Sequence, residues 1–179
     1  TLLALFNLFL PLISFVILLF FGKKIGNSSH WVSLVLIGSM LLIAIIFFVK
    51  IIGHHEDVII NVSTLWFTTG QFTIFLGLFV NNVAAIMLLI VALISFLVHL
   101  YSVDYMKGDP RYSRYFAYLG IFTFSMNGIV LSDSLIMMYI FWELVGLSSY
   151  LLIGFWFEKD SAANACKKAF LTNRVGDIG

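Results

Sequence analysis

Five stretches of this chain run for 17 to 24 residues with at most one ionisable side chain each: 2–21, 31–49, 83–101, 115–131 and 134–157. A bilayer core of roughly 30 Å is crossed by about 20 apolar residues in a helix. Lipid offers no hydrogen-bonding partner, so a spanning segment must satisfy its backbone internally. The runs therefore predict an all-α multi-pass membrane protein. Composition agrees: 61% of residues are hydrophobic and 11% charged, where soluble domains carry about 25% charge. A soluble enzyme and a nucleic-acid-binding module are excluded, and a net charge of +1 implies no polyanionic partner. One cysteine, Cys166, excludes an internal disulfide and any multi-cysteine metal or iron–sulfur site. The first run has no basic segment before it and no small-residue cleavage site after it, so it reads as a span and not a signal peptide.

A sixth element starts near Ala162 and carries Lys167, Lys168, Arg174 and Asp177 before Gly179. That unfinished helix and a first residue other than Met lead us to expect a fragment of a longer protein. The segment 58–79 is different in kind. It is rich in β-branched and aromatic residues, has Thr69-Gly70-Gln71 at its centre, and alternates after Phe72. It is expected to form a β-hairpin on the outer membrane face, the competing reading being a poor transmembrane helix. The organisation is then two leading helices (1–57), the hairpin (58–80), and the third to sixth helices (81–179). With a hairpin that does not cross, Lys23, Lys24, Lys107, Arg111, Arg114, Lys159, Lys167 and Lys168 share one side, and Lys50 alone lies on the other. The excess of Lys and Arg marks the cytoplasmic side, which puts the N-terminus outside.

Ionisable side chains inside a span cost roughly 2.5–3.5 kcal/mol each and are functional candidates by default. Glu143 is the strongest, about ten residues into the fifth run. On a helix it shares a stripe with Tyr139, Gly146, Tyr150 and Gly154. A lone carboxyl in hydrocarbon keeps its proton, whereas a nearby cation favours the anion. A movable cation can therefore toggle it, which is the physical requirement of a proton relay; otherwise it merely ties two helices together. Arg174 and Asp177, three apart, can pair with each other, or Asp177 can join a polar axis with Glu143. Lys167 and Lys168 fit an interface, where long side chains snorkel. His99 is either a proton shuttle or an interfacial residue with a backbone partner. His54-His55-Glu56-Asp57 reads as a solvated loop, Asp133 as an N-cap of the fifth span, and Trp31, Tyr101, Tyr105, Tyr112, Tyr115 and Trp156 as interface belts. No Walker loop, dinucleotide fingerprint or nucleophile triad is present.

Four stretches resemble the large antiporter-like subunit (chain L or subunit 5 type) of respiratory complex I, NADH–quinone oxidoreductase. They are HLYSVDYM at 99–106, RYFAYLGIFTFSMNGIVLSDSLIMMYIFWELVGLSSYLLIGFW at 114–156, KKAFLTNRVGDIG at 167–179, and the hairpin region before Asn81. The resemblance implies inverted five-helix repeats, of which this chain holds the leading helices and the start of the first. It implies that Glu143 is a proton-relay residue, that Arg174 and Asp177 are the polar pair of the sixth helix, and that partner lysines lie on later helices. It implies a non-redox subunit of a proton-pumping translocase in a bacterial cytoplasmic or organellar inner membrane. Such a subunit carries no cofactor in this chain and has other membrane subunits, above all a neighbouring antiporter-like one, as partners. The alternative is the antiporter subunit of a multisubunit sodium/proton exchanger or of a membrane hydrogenase; a passive structural subunit is a third reading. Asn81-Asn82 departs from the Asp-containing pair the family often shows there, leaving the role of that position open.

Overall fold

The computed structural model describes residues 2–53, 60–69 and 72–178. In chain order the elements are α1 (Leu2–Ile25), α2 (Ser29–Gly53), β1 (Ile60–Thr69), β2 (Phe72–Val80), α3 (Asn82–Tyr105), α4 (Tyr112–Leu131), α5 (Leu135–Ile153) and α6 (Asp160–Ile178). A short 3-10 turn, Gly26–Ser28, joins α1 to α2. Among the described residues, four helices are long and apolar enough to cross a membrane: α1, Ser29–Lys50 of α2, α3 and α5. The fold is thus the expected helical membrane bundle with one small two-stranded sheet.

Helix α4, the fourth expected span, is 20 residues long but more polar than its neighbours. Its position explains why. It packs against α1, α2, α3 and α5, so much of its surface meets other helices of this chain. Its Thr123, Ser125 and Asn127 are buried. The Asn127 amide donates to Asn7 O at 3.1 Å, to Asn7 Oδ1 at 3.2 Å and to Met40 Sδ at 3.1 Å. Asn7 in turn donates to Met40 O at 3.1 Å. This network ties α1, α2 and α4 together in the apolar interior. Small residues let the backbones close in: a Cβ on Gly120 would lie 3.1 Å from Pro11 O and 3.3 Å from Phe15 N.

The two ends of the bundle differ. At one end the α1–α2, α3–α4 and α5–α6 connections meet. Ser113 Oγ donates to Gly22 O at 2.9 Å and shares a 2.6 Å hydrogen bond with Ser29 Oγ. Trp156 Nε1 donates to Asp109 Oδ2 at 3.1 Å, and Arg111 pairs with Glu158 at 3.4 Å. Gly26 (φ 59°) and Gly108 (φ 90°) supply the left-handed backbone these tight connections need.

At the other end sits the antiparallel hairpin, paired from Ile60↔Val80 to Thr69↔Phe72 with an irregularity between Leu65 and Phe67. Two strands alone are marginally stable, and here β2 is anchored. Leu78 bridges Ser132, Ser134 Oγ donates to Phe75 O at 3.4 Å, and Leu78 and Val80 are buried. Asp133 lies so close to Gly77 that a side chain there would force its carboxylate to move. With three connections gathered at one end and the hairpin docked at the other, the hairpin does not traverse the bundle. Its expected turn residues Gly70 and Gln71, and the loop His54-His55-Glu56-Asp57, lie outside the described residues.

Three local expectations are corrected. The N-cap of α5 is Ser134, whose hydroxyl accepts from Met137 N at 3.3 Å; Asp133 is one residue too early and faces β2. Tyr112 is no belt residue: it is 7% exposed, its ring tilted against Phe116 at 5.0 Å, because α4 starts among other helices. Tyr115 likewise turns its ring inward onto Phe155 at 5.3 Å. Asn81, whose role the sequence left open, is the N-cap of α3 and accepts from Ala84 N at 2.7 Å.

Candidate functional site at the α5–α6 interface

Helices α5 and α6 form an antiparallel pair whose rungs follow the stripe through Glu143. They are closest near their connection, where a Cβ on Gly154 would stand 3.0 Å from Cys166 Sγ. One turn further in, Tyr150 meets Phe170 edge to face at 5.3 Å. Next, Glu143 Oε2 accepts from Arg174 Nη1 in an ion pair. Last, Trp142 Nε1 donates to Asp177 Oδ1 at 3.0 Å. Glu143 stands eight residues into a 19-residue helix, about 12 Å from its start at 1.5 Å per residue, so the pair lies near the middle of a span.

The sequence spacing allows Arg174 to pair with Asp177. In the structure Arg174 reaches across to Glu143, and Asp177 takes the indole proton of Trp142. Helix packing decides this: Arg174 and Asp177 lie on one helix beside each other, but α5 presents a carboxylate to one and a donor to the other. The Glu143 side chain is 18% exposed and the Arg174 side chain 43%. The guanidinium also sits 5.0 Å from the Phe170 ring, an arrangement that favours a desolvated cation. The second carboxylate oxygen, Oε1, is buried without a hydrogen-bond partner among the described residues. A charged carboxylate offers about four acceptor sites, so this one has capacity left for a proton or a water.

Gly146 faces open space, and a cleft of about 940 Å³ opens, lined by Met126 of α4, Trp142, Gly146 and Ser149 of α5, and Thr172 and Asp177 of α6. Its lining is mostly apolar, with Ser149, Thr172, Asn173 and Asp177 among its polar groups.

His99 lies elsewhere. It is 1% exposed, on α3, with Nδ1 2.7 Å from Ser95 O and its ring 6.0 Å from Phe116. The backbone oxygen can only accept, so Nδ1 carries the proton, and Nε2 is buried without a partner among the described residues. His99 lines a separate cavity of about 280 Å³ with Ser95 and Thr123, whose hydroxyls are 2.7 Å apart. The structure therefore brings Glu143, Arg174 and Asp177 to one interface and leaves His99 apart, although Met87 and Met126 border both cavities. Trp142 was not singled out from sequence; its donor role appears only once α6 is in place. The Asn7–Asn127 node was discoverable, since each is an amide within an apolar run. Among the described residues no three His, Cys, Asp or Glu side chains gather into a metal site.

Two family models match the chain. Residues 66–116 match the N-terminus of NADH-ubiquinone oxidoreductase (complex I) chain 5, and residues 132–179 match the transmembrane region of NADH:quinone oxidoreductase/Mrp antiporter proteins. Among curated relatives, the F(420)H(2) dehydrogenase subunit L of Methanosarcina mazei is 43% identical over 169 residues, covering 94% of this chain and 24% of that protein. The chloroplastic NAD(P)H-quinone oxidoreductase subunit 5 of Physcomitrium patens is 43% identical over 178 residues, covering 96% and 24%. The NAD(P)H-quinone oxidoreductase chain 5 of Synechocystis is 51% identical over 114 residues, covering 64% and 17%. The chain thus spans about a quarter or less of the length of these relatives. A chain in the structure of the membrane-bound sulfane sulfur reductase, an archaeal respiratory membrane complex, superposes with a TM-score of 0.82 at 23% identity, covering 99% of this chain and 35% of that one. At that identity the likeness speaks to the fold.

Proposed function

Because this chain belongs to the family of antiporter-like membrane subunits of the complex I chain 5 (L) type, we propose that it supplies the first part of a proton path in a respiratory NAD(P)H–quinone oxidoreductase. It is an integral membrane protein, and its relatives are named as NAD(P)H-quinone oxidoreductase subunit 5 or chain 5. In this reading it is a non-redox translocating subunit. Flavin, iron–sulfur and quinone chemistry belong to other subunits, none of these groups is held by this chain, and a neighbouring antiporter-like subunit packs beside it.

The observation that carries the proposal is the Glu143–Arg174 pair, part-buried and bridging two helices, with one Glu143 oxygen lacking a hydrogen-bond partner among the described residues, near a mostly apolar cleft that Asp177 borders. With Arg174 engaged, the carboxylate is stabilised as an anion. If charge arriving along the membrane draws Arg174 away, the anion loses its partner in a medium that penalises it, and Glu143 takes a proton from the cleft. Return of Arg174 expels that proton. Asp177, fixed by the Trp142 indole at the cleft wall, is placed to exchange protons with water there. His99 serves this path only through water continuous past Met87 and Met126.

The eight Lys and Arg side chains named above sit toward the end where three connections meet, or on α6 near it, and the Lys/Arg bias makes that end cytoplasmic or its organellar equivalent, with the N-terminus opposite. The test is Glu143→Gln in the full-length protein within its native complex, reconstituted in vesicles. Proton pumping should be lost while the complex stays assembled; pumping at the native rate from an assembled complex would refute the proposal. The family description matching 132–179 also covers Mrp antiporters. Sodium-dependent exchange by a purified complex devoid of flavin and iron–sulfur absorbance would favour that second reading.

A further inference from the structure

We propose that the basic end of the bundle holds a specific site for the headgroup of an anionic phospholipid, in the cleft where α4, α5 and α6 meet. The cleft has a volume of about 350 Å³, and Arg111, Arg114, Tyr118, Tyr150, Phe157 and Lys167 are among its walls. This site stands apart from Glu143 and is tested without reference to pumping.

Three observations point to a lipid anion. The first is charge. Toward this end lie Lys23, Lys24, Lys107, Arg111, Arg114, Lys159, Lys167 and Lys168 against Asp104, Asp109, Glu158 and Asp160, an excess of four cations. Arg111 is held in place, paired with Glu158 at 3.4 Å and lying 4.8 Å from the Phe157 ring and 5.6 Å from the Phe155 ring. Glu158 is largely exposed, so this pair leaves guanidinium donors for an incoming anion. Among the described residues neither Arg114 nor Lys167 has a carboxylate within ion-pair distance. Basic pockets between membrane helices are the usual seats of anionic headgroups.

The second is depth. Cys166 is level with Gly154, so Lys167 stands beside the last turn of α5 and not deep in the span. Tyr101 stacks on Tyr105 at 5.6 Å and Tyr105 meets Trp156 at 6.3 Å; such amphipathic rings mark headgroup level. The third is the wall itself. Beside the cations the cleft is lined by Tyr118, Tyr150, Leu151 and the buried Phe155. Phe155 is clamped between Tyr115 at 5.3 Å and Tyr118 at 6.4 Å. A free phosphate would use the cations and leave this apolar wall empty. A phospholipid uses both, its phosphate on Arg114 and Lys167 and its glycerol and upper acyl carbons on the rings.

The experiment uses the native complex carrying the full-length protein in nanodiscs of phosphatidylcholine with a minor fraction of photoactivatable phosphatidylglycerol. In the unmodified protein, crosslinks should fall in peptides spanning 111–118 and 150–167 and should survive an excess of inorganic phosphate. Arg114→Gln with Lys167→Gln should weaken labelling about fivefold per cation removed, about 25-fold together. Lys23→Gln with Lys24→Gln, the same charge change at the same end, should leave it unchanged. Crosslinks that map elsewhere in the unmodified protein, labelling abolished by inorganic phosphate, or equal loss in the two double variants would each overturn the proposal. The first of these needs no variant to fold.

Discussion

Replacing Arg174 by Gln removes the one cation paired with Glu143 among the described residues and leaves the helix otherwise intact. The size of the effect follows from the geometry. Two unit charges about 4 Å apart attract by about 4 kcal/mol at an effective dielectric of about 20. The Arg174 side chain is 43% exposed, so solvent screening reduces this, and we take about half. The remaining ~2 kcal/mol is a factor of about 30 in the ratio of anionic to protonated Glu143. The sign is fixed: a carboxylate that loses its cation holds a proton more readily, so at any pH a larger share of Glu143 is protonated in Arg174→Gln. The assay is infrared difference spectroscopy of the purified complex across pH, with the carboxylic acid C=O band assigned by its absence in Glu143→Gln. That band should be stronger at a given pH in Arg174→Gln than in the native protein, and Arg174→Lys should restore most of the native behaviour. A band that titrates identically with and without Arg174 would show that the pair does not control the proton.

Other parts of the bundle give sharper tests of packing. Asn127→Leu deletes the donor that reaches Asn7 and Met40 and should destabilise by about 1–2 kcal/mol, measured by denaturation in mixed micelles. Gly128→Ala drives a methyl into the Phe141 ring, whereas Gly146→Ala meets nothing within 4 Å. The first should cost about 1–3 kcal/mol through overpacking, while the second should change stability by less than about 1 kcal/mol, both read as shifts in thermal unfolding. Ser134→Ala removes the cap of α5 and should cost about 1 kcal/mol, with faster amide exchange confined to 135–138.

Four of the five expected spans, the hairpin and the place of Glu143 within a span were legible in the sequence, because each follows from a local rule. A bilayer demands about 20 consecutive apolar residues, so a run such as 83–101 declares itself wherever it packs, and a carboxyl in the middle of one is conspicuous without any knowledge of its neighbours. The β-branched composition of 58–79 is equally local. What tertiary structure alone decided were pairings between distant positions. Arg174 has Asp177 three residues away, yet its partner is Glu143, 31 residues back. Asn127 bonds Asn7 across 120 residues. Tyr112 looks like a belt residue and is buried because α4 starts among other helices. Periodicity states which face a side chain occupies; it does not state which helix covers that face, at what height, or with which donor opposite. Ion pairs and hydrogen bonds fade over an ångström or two of misplacement, so they exist only once packing has set those heights.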